Sequence, residues 1–500
     1  MSDGAPATSL YLEVERKFDV GESTSSPSFA GMADILRVER PPTQTLDAVY
    51  FDTPARDLAS RRITLRRRTG GVDAGWHLKL PAGPDARTEV RAPLGTADGS
   101  DEESHEVVPT ELVDVVLAIV RDRPLSPVAR ITTTRGVHHL YGADGAVLAE
   151  FCDDQVTASR AATPDAPEVE QRWREWELEL AQPETNTELL DKLSDRLLGA
   201  GATPAGHGSK LARVLGTTPK DLPGTDPLHR AVAEQLDELL VWDRAVRAEA
   251  DDAVHQMRVT TRKMRSLLQA SPDSFALPND TSILDELREL ANILGGARDA
   301  EVLAERYRNA LDGLPPELVR GHVRERLIDG AEGRYRTGLR HSLAALRSPR
   351  YFRLLDALEA VIANASPNDQ EPAPATVAAA GKKVRKAAKA ARRVGDEDRD
   401  DAIHRIRKRA KRLRYTSAAA GATKVSKRAK KIQSLLGDHQ DSVVSREHLK
   451  QQAEAAHAAG EETFTYGLLY QQETDLALEC RRQLQPALRK LYKSVRKLSS

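Results

Sequence analysis

The first half of the chain repeats one pattern that few folds accommodate: short strand-like stretches charged on one side only. Side chains of a strand alternate between faces, so Glu13-Val14-Glu15-Arg16-Lys17 projects Glu13, Glu15 and Lys17 together. Two carboxylates and an ammonium on one surface suit a divalent cation held by oxygen ligands beside a phosphate held by a lysine. An exposed strand of alternating charge looks the same, so the following stretches decide. Ile63-Thr64-Leu65-Arg66-Arg67-Arg68 places Arg66 and Arg68 on one face, and Trp76-His77-Leu78-Lys79-Leu80 opposes His77 and Lys79 to apolar residues. Arg87, Glu89 and Arg91 share a face, and Glu175-Trp176-Glu177-Leu178-Glu179-Leu180 sets three carboxylates against three apolar side chains. Further strands are expected at Thr45–Phe51, Val128–His138 and Val147–Val156.

Two architectures reconcile such strands. In a sandwich the charged faces are solvated and the apolar faces meet. In a closed barrel turned inside out the charged faces line a tunnel and helices cover the apolar exterior. Two helical segments favour the barrel, because each has a single apolar stripe that needs a sheet face. These are Val108–Asp122, with Leu112, Val115, Val116 and Ile119, and Thr187–Leu198, with Leu189, Leu190, Leu193 and Leu197. Acidic and basic strands would then share a tunnel that could hold metal cations together with a highly anionic ligand. Charges at that density are costly inside a protein unless they neutralise one another or a ligand.

Gly216–Pro227 has little apolar content and marks a domain boundary. Beyond it the pattern is helical from about His229, broken at Pro272–Pro278, Pro315-Pro316 and Ser366–Pro374. An internal repeat lies within: His255, Arg258, Arg262 and Arg265 match His404, Arg407, Lys411 and Arg414, each set forming one stripe of a helix. A Leu-Gly-x-x-x-Asp sequence follows each copy, at Leu294–Asp299 and Leu436–Asp441, and reads as a turn. Two such units imply a pseudo-symmetric helical bundle hinged at Ser366–Pro374. Like charges along one face repel, so the stripe calls for a counter-charge, which an extended polyanion supplies. A merely solvated face has no reason to keep His, cations and spacing twice. Lys382, Lys386, Lys389 and Arg393 make a further stripe. For His255 and His404 a phosphate donor or a buried hydrogen-bonded residue suits the surroundings better than a metal ligand, which so many cations would oppose; His439 has no evident partner.

Composition sets the remaining bounds. Five hundred residues exceed one core. The formal net charge of −1 conceals a segregated distribution, with 20 Lys plus Arg against 5 Asp plus Glu between Lys382 and Lys431 and an acidic run at Asp98–Glu106. Cys152 and Cys480 are too few for a disulfide framework and fit a reducing cytoplasm. No stretch suits a membrane span or signal peptide, so a soluble intracellular protein is expected. Aromatic residues make up only 4%, which offers no stacking platform for nucleic acid.

The ordered series Glu13-x-Glu15-x-Lys17, Tyr50-Phe51-Asp52-Thr53, Leu65-Arg66-x-Arg68, Trp76-x-Leu78-Lys79, Arg87-x-Glu89, Thr134-Arg135, Glu175-x-Glu177-x-Glu179 and Ser209-Lys210 resembles the CYTH family, the triphosphate tunnel metalloenzymes. The two basic repeats, continuing through Arg412-Leu413-Arg414-Tyr415, resemble a CHAD domain, a helical module associated with inorganic polyphosphate and its intracellular granules. The resemblances imply an α+β chain. An eight-stranded antiparallel β tunnel with covering helices would span residues 8–215, a linker 216–227, and an all-α pseudo-symmetric bundle 228–497. They further imply hydrolysis of inorganic triphosphate with Mg²⁺ or Mn²⁺, the helical part binding polyphosphate; a non-catalytic polyphosphate scaffold is the alternative. Carried over by position, Lys17, Arg66, Arg68, Lys79, Arg135 and Lys210 clamp phosphates, and Glu89 orients a basic ligand or a water. Glu13, Glu15, Glu150, Asp154, Glu177 and Glu179 hold metal; Asp154 is preferred to Asp153 because alternation pairs it with Glu150. The long, Pro-containing link from Asp154 to Trp173 is expected to reshape one tunnel mouth. Lys411 departs from the Arg of the first copy, keeping the charge and losing the bidentate fork.

Overall fold

The computed structural model describes residues 9–32, 34–94, 107–160, 169–182, 187–216, 227–270, 275, 282–363, 377–395 and 398–498. The acidic run Asp98–Glu106, the interior of the expected linker, most of Pro272–Pro278 and the Ser366–Pro374 hinge lie outside these residues. Packing divides the chain into one unit of residues 1–253 and 346–363 and a second of 254–345 and 364–500.

In the first unit eight strands close on themselves. They are β1 (Ser9–Val20), β3 (Gln44–Asp52), β4 (Thr64–Thr69), β5 (Gly75–Pro81), β6 (Ala86–Ala92), β7 (Ser126–Tyr141), β8 (Val147–Arg160) and β9 (Val169–Leu180). The order is β1-β6-β5-β4-β3-β7-β8-β9, with β9 pairing back onto β1 and every pairing antiparallel. Short strands β2 (Arg37–Glu39) and β10 (Thr203–Pro204) flank β7 and β1. The β4–β5 turn depends on Gly70, whose φ is +79° and whose absent Cβ would lie 2.2 Å from the Thr45 carbonyl oxygen.

Paired residues of an antiparallel ladder share a face, so the registers fix what points inward. Arg66 pairs with Tyr50 and His77, Lys79 with Glu89, Arg87 with Glu13, Lys17 with Glu177, and Asp154 with both Arg135 and Glu175. Asp154 thus faces the interior, and Asp153 faces out to Arg174 at 2.6 Å. The Asp154–Trp173 link is largely strand: β8 continues to Arg160 and β9 begins at Val169, so the expected loop is a prolonged hairpin.

Helix α2 (Thr187–Gly199) covers the exterior as its stripe requires, burying Leu189, Leu190, Leu193 and Leu197 against Phe18, Phe151, Trp176 and Leu178. α1 (Thr110–Val120) packs on α4 (Pro227–Arg247), within the same unit as α8 (Pro349–Ala363). α3 (Lys210–Leu215) behaves differently from a covering helix. Its Leu211, Val214 and Leu215 pack among inward-facing Ala48, Tyr50, Ile131 and Val156, so this short helix stoppers one end of the barrel.

The second unit is helical in its described residues: α5 (Ala253–Ala270), α6 (Ser282–Asp312), α7 (Gly330–Leu346, ending at the unit boundary), α9 (Val377–Ala391), α10 (Arg399–Ala419), α11 (Thr423–Ala458) and α12 (Phe464–Arg496). One core joins α9 to α12 through Val384, Ile406, Leu413, Ile432, Leu436 and Leu488. The expected Leu-Gly-x-x-x-Asp turns do not exist, since Leu294–Asp299 is inside α6 and Leu436–Asp441 inside α11. Glycine serves packing there: a Cβ on Gly295 would meet the Arg258 guanidinium at 3.4 Å, and one on Gly437 would meet that of Arg407 at 3.7 Å. In each copy the first arginine of the stripe lies over the glycine of the following helix.

Candidate functional site

The barrel encloses a cavity of about 530 Å³ lined by side chains of both signs. Its cations are held mostly by its own carboxylates. Lys17 Nζ lies 2.8 Å from Glu15 and 2.5 Å from Glu177, and Lys79 Nζ lies 2.5 Å from Glu13 and 3.9 Å from Glu89. Arg135 forks onto Asp154 at 2.8 and 2.6 Å and reaches Glu177 as well. Lys210 enters through the stopper: Ser209 caps α3 by accepting from the Ala212 N–H, which leaves Lys210 at the first helical position with its ammonium buried inside.

That ammonium stands 2.8 Å from one oxygen each of Asp154, Glu175 and Glu177. These three carboxylates lie near enough, within 4.8 Å, to share a metal ion. The cation they share here is Lys210. Burial works against both charges, yet Lys17, Lys210 and Arg135 hold Glu177 well below the carboxylate range, and Asp154, Glu177 and Glu175 hold Lys210 well above the ordinary lysine value.

The other acidic group is under-neutralised. Burial, only partly offset by Lys79 and reinforced by Glu13, Glu15 and Glu150, lifts Glu179 to about 7. Burial likewise raises Glu13 despite Lys79. Glu15, which has Lys17 and Lys79 to outweigh burial, falls to about 2. Glu179 thus stands among Glu13, Glu15 and Glu150 with Lys79 as the cation acting on it, and such a group fits a hard divalent cation, whose charge removes the repulsion. The residues present therefore suit a divalent cation at Glu179 with Glu13, Glu15 and Glu150 around it, on the ground of their charge, whereas Asp154, Glu175 and Glu177 have the closer ligand atoms.

Opposite in sign is the Arg66–Arg68 wall. Among the described residues Arg66 forms no ion pair with a carboxylate; its guanidinium reaches the Tyr50 hydroxyl at 3.4 Å. Arg68 bonds Asp73 at the β4–β5 turn, and burial together with Arg66 and Arg135 presses it downward. Glu89 is buried and gripped by His77 Nδ1 at 2.9 Å and by Arg91. His77 is fixed through its other nitrogen to the Asp73 carbonyl at 2.9 Å.

In the second unit the two basic stripes converge. Burial, then Arg258 and Arg407, push Arg262 down; burial, then Arg262, Arg407, Arg414 and Arg258, bring Lys411 to about 8. Cations of both copies thus share one cluster, and among the described residues none of Arg258, Arg262, Arg265, Arg407, Lys411 and Arg414 pairs with a carboxylate. Three of them are held instead by carbonyls and an amide: Arg258 by Ala291 at 3.3 Å, Arg265 by Leu284 at 3.1 Å and Arg414 by Gln433 at 3.3 Å. His255 and His404 are half-buried. Burial, Lys408 and Arg407 lower His404, with a hydrogen bond to Gln440 opposing. Lys382, Lys386, Lys389 and Arg393 are exposed, Arg393 just past the end of α9. His439 is buried and accepts from Arg481 Nε at 2.9 Å, the partner its sequence context did not reveal.

The barrel brings every tunnel residue named from the sequence to one interior, and adds some. Glu175 shares Lys210, Arg87 lies 3.7 Å from Glu15, and Arg91 lies 3.6 Å from Glu13. All three sat on the charged strand faces already recognised, so alternation alone was the available signal.

A CYTH domain model matches residues 12–203 and a CHAD domain model residues 230–450. Uncharacterized proteins from two Mycobacterium tuberculosis strains are each 64% identical over 513 aligned residues and cover 99% of both chains. Among solved structures, the CHAD domain from the plant Ricinus communis is 25% identical, covering 54% of this chain and 95% of its own with a TM-score of 0.42. A Hippeastrum protein described by its dominant triphosphatase activity is 18% identical, covering 41% and 95% with a TM-score of 0.26. Among the described residues no helix is long and apolar enough to cross a membrane.

Proposed function

The chain belongs to the CYTH family of triphosphate tunnel metalloenzymes, joined to a CHAD domain, and from that premise we propose that it hydrolyses inorganic triphosphate with Mg²⁺ or Mn²⁺ while its helical part captures inorganic polyphosphate. One observation carries the reading: a single cavity contains under-neutralised carboxylates at Glu13 and Glu179 and an Arg66–Arg68 wall with too little anion of its own. A metal–triphosphate complex carries both missing charges.

Phosphoryl transfer asks a protein mainly for positioning and charge neutralisation. Arg66 and Arg68 face non-bridging phosphate oxygens directly. Lys17, Arg135 and Lys210 each exchange a carboxylate oxygen for a phosphate oxygen, with Asp154, Glu175 and Glu177 keeping them oriented. Lys79, shared by Glu13 and Glu89, stands between metal side and phosphate side. Glu89, fixed by His77 and Arg91, orients a water or the lysine. Glu13, Glu15, Glu179 and Glu150 would hold the divalent ion, which would supply positive charge against the phosphate oxygens and a more acidic water.

The test is phosphate release from inorganic triphosphate with Mg²⁺ or Mn²⁺, wild type beside Glu13→Gln/Glu15→Gln. Turnover should fall by at least about a thousandfold in the double variant while polyphosphate binding persists. Full activity in that variant would overturn the metal assignment, and an inert wild type would overturn the hydrolase.

A further inference from the structure

Outside the tunnel, the first unit holds a second dense group of ion pairs, between α4 and α8 on one side and the β3–β4 loop with the end of α1 on the other. Arg121, just past α1, has a side chain only 1% exposed, and its guanidinium bonds Asp356 and, at 2.7 Å, Glu359, both on α8. Glu359 also receives Arg61 of the β3–β4 loop at 2.8 Å, and Arg61 reaches Asp237 of α4 at 3.0 Å. Arg123 bridges Asp356 at 3.3 Å to Asp57 of the same loop at 2.7 Å. Arg121 and Arg61 together hold Glu359 below its ordinary value against the effect of burial.

The loop so gripped is stiff and joined to both halves of the phosphate clamp. Buried Asp52 accepts from the backbone N–H groups of Thr53, Leu58 and Ala59 at 2.7 to 2.9 Å, which knots the loop at its start. Its far end runs through buried Ile63 into β4, which carries Arg66 and Arg68. Arg56 donates to the Leu215 carbonyl at 3.0 Å, tying the loop to the C-terminus of α3, whose first residue is Lys210. A loop cross-linked in this way moves as a body, so displacement at Arg61 is felt at β4 and at α3.

We infer that Asp356 and Glu359 are positioning residues for the tunnel: by fixing Arg61, Arg121 and Arg123 they set the β3–β4 loop, and through it the placement of Arg66 and Lys210 against the anionic substrate. The inference rests on the triphosphate reading for its kinetic consequence and on geometry for its structural one. Both acids lie more than 230 residues beyond the arginines they hold, within the stretch matched to the helical family. The tunnel therefore borrows two of its supports from sequence outside the tunnel family. Each arginine has a second acceptor, so neutralising one acid loosens the loop without leaving Arg121 a lone buried charge.

The experiment uses full-length Glu359→Gln, Asp356→Asn and Glu359→Asp, with steady-state hydrolysis of inorganic triphosphate and amide hydrogen exchange. For each neutralised acid, KM should rise about fivefold to tenfold with kcat changed less than about twofold, because misplacement weakens clamping before it alters chemistry. Exchange across residues 53–63 and 209–216 should quicken by about tenfold, and Glu359→Asp should stay within about twofold of wild type in KM. Unchanged KM, a fall in kcat at constant KM, or a loss confined to melting temperature would each overturn the inference. Should the wild type not turn over triphosphate, the proposed function fails and exchange alone decides: faster exchange in both segments upholds the positioning role, and unaltered exchange removes it.

Discussion

The tunnel and the helical cluster both concentrate cations, yet they meet the resulting repulsion in opposite ways. In the tunnel Lys17, Lys79, Arg135 and Lys210 sit 2.5 to 2.8 Å from internal carboxylates, which holds Lys17 and Lys210 above their ordinary values. In the second unit Arg258, Arg262, Arg407 and Lys411 face one another, and burial with mutual repulsion draws Lys411 to about 8. A self-neutralised site is assembled before its ligand arrives and must exchange partners to bind, which favours discrimination. An uncompensated site gains from any anion that enters, which favours capture of an extended chain.

The largest effect expected from this contrast is on stability. Lys210→Met leaves Asp154, Glu175 and Glu177 with one cation fewer in a buried setting, and removing one partner of such a group costs about 3–5 kcal/mol. All four tryptophans lie in the first unit, so urea denaturation followed by their fluorescence reads that unit. Arg262→Gln in the cationic cluster should instead leave the helical transition unchanged or raise it. Equal destabilisation by the two variants would erase the distinction.

Next in size is an effect on binding. Replacing Arg258, Arg262, Arg407 and Lys411 together with alanine should weaken polyphosphate binding by about a hundredfold at low salt and flatten its dependence on salt concentration. Triphosphate turnover should change little. Retained affinity would show that the stripes are not the capture surface and would turn attention to other cations of the unit, the exposed Lys382, Lys386 and Lys389 first.

The sequence made the two regions unequally readable. Inward faces of the strands follow from period-two alternation, so Glu13, Glu15, Arg66, Lys79, Glu177 and Glu179 were visible without a structure. Asp154 against Asp153 needed the register with Arg135 and Glu175, which alternation from Glu150 anticipates. The stopper was hidden, because α3 has six residues and its apolar Leu211, Val214 and Leu215 give no sign that they fill a barrel end. In the helical half the stripes were legible, but the glycines were misread. Gly295 and Gly437 resemble helix stops, and only tertiary packing reveals that arginines lie over them. No local pattern could announce the pairing of Arg121 with Asp356, separated by 235 positions.

The smallest effect is the most diagnostic of uncompensated charge. Lys411 has a folded-state value of about 8, below the ordinary lysine value, because of burial and then Arg262, Arg407, Arg414 and Arg258. A bound polyanion reverses the repulsion and raises it, so the protonated form binds more tightly. Affinity should be complete below about pH 8 and decline by a few-fold as pH rises through it. Stability runs the other way: between about 8 and the ordinary lysine range the unfolded chain binds more protons than the folded one, so the helical unit grows more stable with rising pH. Arginine at this position, as in the first copy of the repeat, stays charged throughout the range. Lys411→Arg should therefore flatten both slopes, read by polyphosphate titration and by denaturation from pH 7 to 9.5. Parallel slopes in wild type and variant would mean that Lys411 already has a counter-charge, and the contrast with the tunnel would fail at that residue.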